Sequence, residues 1–327
     1  MLMGAATAAA ILPGSLRAQT LMPATVLTPF GFIIDFLELL NAKAGDHFKA
    51  AGMDATVLGA GGAVAALQQL AAGRCQFIRG AAIDVMKAVS VQHLPLVSVA
   101  TLFQGSNFWV MSAKDKPITK AEDLRGKRIG VVSIGGTTEN FLDLMLTKAG
   151  IPKAETPREV VGNNPGSFAL VQQGRIDGFI ATNNVGSVLL RQNMPLEWFS
   201  TDKYAPMPSQ SYFTTQDVIA QHPELVLAFL GGVAASVKEI MAGPIEPLIE
   251  RASKSFEIPG IRDKAALAQT IVDDIPLWLS AGRENLLRNV PSLWRSCRDN
   301  LAEVGLAKID DETKLYTNVF IDQVMKA

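Results

Sequence analysis

The sequence predicts an α/β protein of two lobes joined by two crossings of the chain, followed by a helical C-terminal part. Three observations carry this. Residues 127–149 read as strand, tight turn and helix, because an apolar run over 129–134 ends in Gly135-Gly136 and is followed by Phe141, Leu142, Met145 and Leu146 on one helical side. Residues 66–78 and 167–180 repeat one pattern of amphipathic helix, Gly-Arg turn and short apolar strand, which favours two lobes of similar topology. Beyond residue 215 the periodicity is helical almost throughout.

Taken in order, residues 1–18 resemble an export signal: an Ala-rich apolar run, then Pro13-Gly14-Ser15 and a small-residue cleavage point after Ala18, although the usual basic leader is missing. No other apolar run is expected to reach the roughly 20 residues of a membrane span, so the processed chain is expected to be soluble and extracytoplasmic. Residues 21–27 form a first strand, broken by Thr28-Pro29-Phe30-Gly31. Residues 33–48 carry a helical pattern, 53–58 the next strand, and Gly59-Ala60-Gly61-Gly62 leads into a helix that stops at Gly73. A strand at 96–102, continued at 108–112, contains the first crossing, and the Pro- and Ser-rich stretch 202–211 is the return. Lobe one is therefore 21–106 with 207–327, and lobe two is 107–206. Pro223 opens a helix running to about residue 241, with further helical segments at 244–256, 263–275, 280–286, 293–304 and 313–325.

Composition narrows the function. Hydrophobic residues at 48% and charged residues at 19% describe a chain that buries a core rather than a disordered one. Thirty basic against 31 acidic residues give no electrostatic reason for a nucleic-acid partner. The three histidines are scattered, no serine elbow or phosphate-loop lysine is present, and the two cysteines, Cys75 and Cys297, cannot by themselves hold a metal. Neither catalytic residues nor a cofactor is expected. The cysteines could pair or remain two buried thiols.

A binding module is better supplied. Loops at strand ends meet where two similar lobes face each other, and ligands settle in such clefts. The expected contacts are Thr28, Phe30, Asp35, Gly61, Arg79, Ala82, Gln104, Asn107, Gly136, Thr137, Thr138, Asn163 and Asn183. Amides, hydroxyls and rings suit a small polar solute held by many hydrogen bonds. Gly135-Gly136 with Thr137 and Thr138 presents unpaired helix amides to an anion, or is simply a helix cap. Arg79 would pair with a carboxylate or sulfonate, or lie on the surface. Asp35 caps a helix or receives an amine. Phe30 and Phe103 stack on a ligand or plug the core.

Five segments carry a family resemblance: Thr28-Pro29-Phe30; residues 48–54; Leu70-Ala71-Ala72-Gly73-Arg74; Asp123-Leu124-Arg125-Gly126-Lys127-Arg128-Ile129-Gly130; and Ser133-Ile134-Gly135-Gly136-Thr137. Over roughly 21–240 the chain resembles the NMT1/THI5-like solute-binding proteins, relatives of the nitrate, sulfonate and taurine receptors of ABC importers. The resemblance implies a type II periplasmic-binding-protein-like fold and a solute between the lobes, an organic acid or an aromatic or heterocyclic body. It also implies docking on a membrane permease whose partner ATPase drives uptake. The chain departs from the family at Gln76, where the first Gly-Arg turn lacks the acidic residue that the second keeps as Asp177. It also lacks the histidine and cysteine-rich segment of relatives that make a thiamine pyrimidine precursor, which disfavours an enzyme. A sensory binding protein is the other alternative.

Overall fold

A computed structural model describes residues 20–326, so the expected export signal lies outside the described residues. Among them are ten strands: β1 (Met22–Thr28), β2 (Met53–Gly59), β3 (Phe77–Gly80), β4 (Leu96–Phe103), β5 (Phe108–Ala113), β6 (Ile129–Val131), β7 (Arg158–Val160), β8 (Gly178–Thr182), β9 (Leu196–Ser200) and β10 (Gln210–Thr215). They make two five-stranded sheets, ordered β2-β1-β3-β10-β4 and β7-β6-β8-β5-β9. In the first, β1 runs parallel to β2 and β3, and β10 lies antiparallel between β3 and β4. In the second, β6 runs parallel to β7 and β8, and β5 lies antiparallel between β8 and β9.

The repeated Gly-Arg turns fall at equivalent points of the two sheets. Gly73 and Gly174 both take the left-handed conformation, with φ of 68° and 69°, and lead into β3 and β8. A side chain with a Cβ is strained there, which is why glycine closes both helices.

The residues after β4 differ from the expected continuous strand. β4 and β5 belong to different sheets, and 104–107 cross between them. The crossing is held: Gln104 and Gly105 both donate their amides to the Leu277 carbonyl at 3.1 Å. The return crossing is bonded to the first, with the Ser209 amide donating to Phe103 O at 3.0 Å and the Ser209 hydroxyl to Asn107 Oδ1 at 2.8 Å.

Other expectations are corrected. The 33–48 helix is broken into the 3-10 turn Ile34–Phe36 and the helices Leu37–Ala44 and His47–Ala50, the two helices being parted where Asp46 takes a left-handed conformation. The strand expected over 129–134 stops at Val131, and Ile134 is 59% exposed in the turn that follows. Residues 280–286 form only the 3-10 turn Arg283–Asn285, and 313–325 split into Glu312–Leu315 and Val319–Val324. Pro223–Ala242 is a 20-residue helix apolar enough by length and composition to cross a membrane, with mean hydropathy 1.7, against the expectation that no such run existed. Its apolarity has a local cause: Phe229 stacks on Phe48 and Phe77 at 5.8 and 4.1 Å in the core of the first lobe. Trp278 and Trp294 are buried, as are Cys75 and Cys297, which remain free thiols. A second core draws Leu27 and Ile78 from the first sheet and Val110 and Ile129 from the second into one cluster, so the lobes are packed together.

Candidate functional site

The loops after β1 and β2 face those after β6 and β7 across a pocket of about 300 Å³, lined by Phe30, Gly31, Ile33, Ala60, Gly61, Gly62, Val132, Ser133, Gly162 and Asn163. The first wall is fixed by short local bonds. Thr28 Oγ1 donates to the Phe30 carbonyl at 2.7 Å, and the Gly62 amide donates to Pro29 O at 2.7 Å. A larger hollow of about 750 Å³ lies elsewhere, against Pro223–Ala242 and Val324. It is walled mainly by Ala, Val, Leu and Met and receives no strand ends, so it lacks the convergent polar groups of a solute site.

A hydrogen-bond chain leads inward from the pocket. Asn163 Nδ2 donates to Thr182 Oγ1 at 3.0 Å, Thr182 Oγ1 donates to Asn184 Oδ1 at 3.0 Å, and the Asn184 amide donates to the Asp35 carboxyl across the cleft. Next to it, Asn183 Nδ2 donates to Asp274 Oδ1 at 2.8 Å. The start of the lobe-two helix Asn183–Arg191 thus meets two carboxyls of lobe one, one from the turn Ile34–Phe36 and one from the helix Lys264–Trp278.

Arg79 completes this cluster from below. Its Nε lies 3.1 Å from Glu38 Oε1 and its Nη1 donates to the Asp35 carbonyl at 2.6 Å. Its guanidinium carbon lies 4.7 and 5.2 Å from the Phe36 and Phe103 ring centroids. Tyr212, opposite Arg79 on β10, donates its hydroxyl to Glu38 Oε1 at 2.9 Å. Burial raises the pKa of all three carboxyls. Asp35 is pushed up to about 6 despite the opposing charge of Arg79, Glu38 is raised, and Asp274 is driven well above the usual range by burial and by Asp35.

The helix Thr137–Lys148 begins at the turn expected to receive an anion, and its Thr137 and Asn140 side chains hold a carboxyl of the protein's own. The Thr137 hydroxyl donates to Asp84 Oδ2, and Asn140 Nδ2 donates to Asp84 Oδ1 at 2.7 Å. Lys87 donates to Asn140 Oδ1 at 2.6 Å. Asp84 and Lys87 belong to the lobe-one helix Ala82–Gln92, so this is a second bridge across the cleft. Burial holds the Asp84 carboxyl up at about 6, against the Thr137 and Asn140 bonds. Thr138 Oγ1 accepts from the Val132 amide at 2.9 Å.

The expected contacts therefore fall into groups. Phe30, Gly61 and Asn163 line the pocket; Asp35, Arg79 and Asn183 meet in the cluster behind it; Thr137 holds Asp84, while Gly136 and Thr138 belong to the turn that starts its helix. Gln104 and Asn107 tie the crossings, with Gln104 Nε2 donating to three backbone carbonyls, while Thr28 and Ala82 hold loops, the Ala82 amide donating to Pro208 O at 3.4 Å. Arg79 is neither on the surface nor at the pocket wall, because Glu38 lies one helical turn beyond Asp35 and claims it. Phe103 plugs the core against Trp278. Sequence reasoning missed Glu38, Asp84, Asn184 and Asp274. Glu38 and Asp84 had a signal, an acid at the start of an apolar helical pattern; Asp274 had none.

A family model described as NMT1/THI5 like matches residues 33–246. A riboflavin-binding protein, RibY, of Chloroflexus aurantiacus is 22% identical over 234 residues, which is 70% of this chain and 66%, just under two thirds, of RibY. Among solved structures, one from Bordetella bronchiseptica RB50 has a TM-score of 0.75 at 18% identity, covering 93% of this chain and 97% of the other. The alkanesulfonate-binding protein SsuA of Xanthomonas axonopodis pv. citri, bound to MOPS, has a TM-score of 0.67 at 13% identity, covering 91% and 99%. At these identities the structures establish a shared fold, the type II periplasmic-binding-protein arrangement that the two sheets display.

Proposed function

The chain belongs to the NMT1/THI5-like family, and from that membership we propose that it is an extracytoplasmic solute-binding receptor of an ABC importer. It closes its lobes, 21–106 with 207–327 and 107–206, on one small organic solute and delivers it to a permease whose ATPase drives uptake. The observation that carries this reading is the cleft itself. Strand-end loops of both sheets converge on one pocket, and a chain of lobe-two amides and hydroxyls runs from it to the Asp35 carboxyl of lobe one. Phe30 supplies an aromatic wall, Gly61 and Asn163 the polar rim, and Asp35 and Asn183 the inner contacts.

Of the two solute chemistries the sequence suggested, an aromatic or heterocyclic body fits the site better than a small acid. The Arg79 guanidinium is already paired with Glu38, and Asp84 occupies the helix start at Thr137. RibY is a riboflavin-binding protein and SsuA an alkanesulfonate-binding one, so both classes belong in the test. Thermal denaturation with riboflavin, pyrimidines, aromatic amines and carboxylates, alkanesulfonates and nitrate tests the reading. A solute at one hundred times its Kd stabilises the folded state by about 2.7 kcal/mol, which moves the melting temperature by degrees. A shift from one chemical class, with the solute recovered unchanged, supports a receptor. Turnover of the solute, or no shift across the library, overturns it.

A further inference from the structure

We propose that the inner end of the cleft recognises a positively charged, N–H-donating head of the solute, an amine, an amidine or a protonated amino-heterocycle, through Asp35, Asp274 and Asn183. This rests on the receptor reading above and specifies its ligand chemistry.

The unpartnered groups carry the argument. Asp35 Oδ1, Asp274 Oδ2 and Asn183 Oδ1 are buried and have no hydrogen-bond partner among the described residues. An unpaired buried acceptor is costly and calls for a partner. These three sit side by side, since Asn183 donates to the other oxygen of Asp274, and the neighbouring Asn184 donates to the other oxygen of Asp35. With the carboxyls ionised all three accept, so the missing partner donates.

Charge selects among donors. The groups around this point are Asp35, Glu38 and Asp274 with Arg79, then Asp273, which lies 3.8 Å from Arg191. Arg79 is matched by Glu38, which leaves Asp35 and Asp274 facing each other. The start of the helix Asn183–Arg191 contributes only about half an elementary charge against two carboxyls. A cationic head supplies the rest, whereas an acid would meet two buried carboxyls and a guanidinium already in use. Without solute, the alternative to a cation is a proton.

Melting-temperature shifts and calorimetric affinities with benzamidine, benzylamine, benzamide, benzoate and benzenesulfonate at pH 7.5 test this, together with the solute library above. Benzamidine and benzylamine are expected to bind at least tenfold more tightly than benzamide, and the two anions not at all. Asp274→Asn and, independently, Asp35→Asn are expected to weaken benzamidine at least tenfold. In the unsubstituted protein its affinity is expected to rise about tenfold from pH 5 to pH 7, as Asp35, held near 6, gives up its proton. Tightest binding of an anion overturns the inference and leaves the receptor reading standing. Equal binding of benzamidine by both variants, or a flat pH profile, also overturns it. Silence to every probe and to the whole library removes both.

Discussion

Arg79 illustrates how far one residue's fate depends on distant chain. Its strand was legible from the apolar run Phe77-Ile78, and its position at a strand end suggested a ligand contact. Its partners come from elsewhere: Glu38 from the helix Leu37–Ala44, and Tyr212 from β10, which pairs with β3 only through the long return of the chain. No local pattern announces that pairing. Arg79→Ala is therefore expected to act on folding as well as binding, because it strands the buried Glu38 carboxyl. Breaking a buried pair from one side costs about 3–5 kcal/mol. Urea unfolding checks this, and a stability within 1 kcal/mol of the parent protein would show that the pair matters little. Gly135 is the opposite case, readable locally. It sits at φ 74° with Val64 Cγ2 3.6 Å from where a Cβ would stand. Gly135→Val forces a β-branched residue into the left-handed region, expected to cost about 1–3 kcal/mol in the same assay.

At the scale of elements, what was legible was what the chain encodes over a few residues. The strand, glycine turn and helix around Gly135 and the paired Gly-Arg turns rest on local periodicity and on conformations only glycine adopts easily, so they appear where expected. The helix expected over 280–286 does not form, because Gly282 at φ 101° breaks it and the segment instead packs against the first crossing, with the Asn285 carbonyl accepting from Gln104. The anion site expected at the helix Thr137–Lys148 was half legible: its amides and hydroxyls were visible, but the anion, Asp84, lies on another lobe. Asp84→Ala deprives Thr137 and Asn140 of their acceptor. Each buried unpaired group costs about 1–3 kcal/mol, so the balance is expected to shift toward open lobes by tenfold or more. Small-angle scattering would register a larger radius of gyration for the solute-free variant than for the parent. An identical radius would mean that the Asp84 bridge does not hold the lobes.

For the whole molecule, the two bridges are expected to link closure of the proposed receptor to protons. Asp35 and Asp84 are buried between the lobes and hold pKa values of about 6, above the ordinary aspartate value of 3.8, chiefly through desolvation; Asp274 is raised further. A carboxyl raised in the folded state favours that state fully below its unfolded pKa and loses the advantage as pH climbs through the folded pKa. The stability of the solute-free protein is therefore expected to fall between about pH 4 and pH 6, and to go on falling above that as Asp274 ionises. A rise of about two pKa units corresponds to about 3 kcal/mol for each fully ionised group. Glu239 acts in the other direction. Its carboxylate accepts from Asn41, His47 and Arg251, and these bonds hold its pKa down to about 2 despite some desolvation. Its contribution is present above about pH 4.5 and is lost as pH falls toward 2. Urea midpoints measured from pH 3 to pH 8 are thus expected to peak near pH 4 to 5 and to decline toward pH 8. Asp84→Asn should flatten the decline, since an amide cannot ionise. A curve that keeps rising to pH 8 would mean that these carboxyls are solvated, and that the lobes of the free protein stand apart in solution.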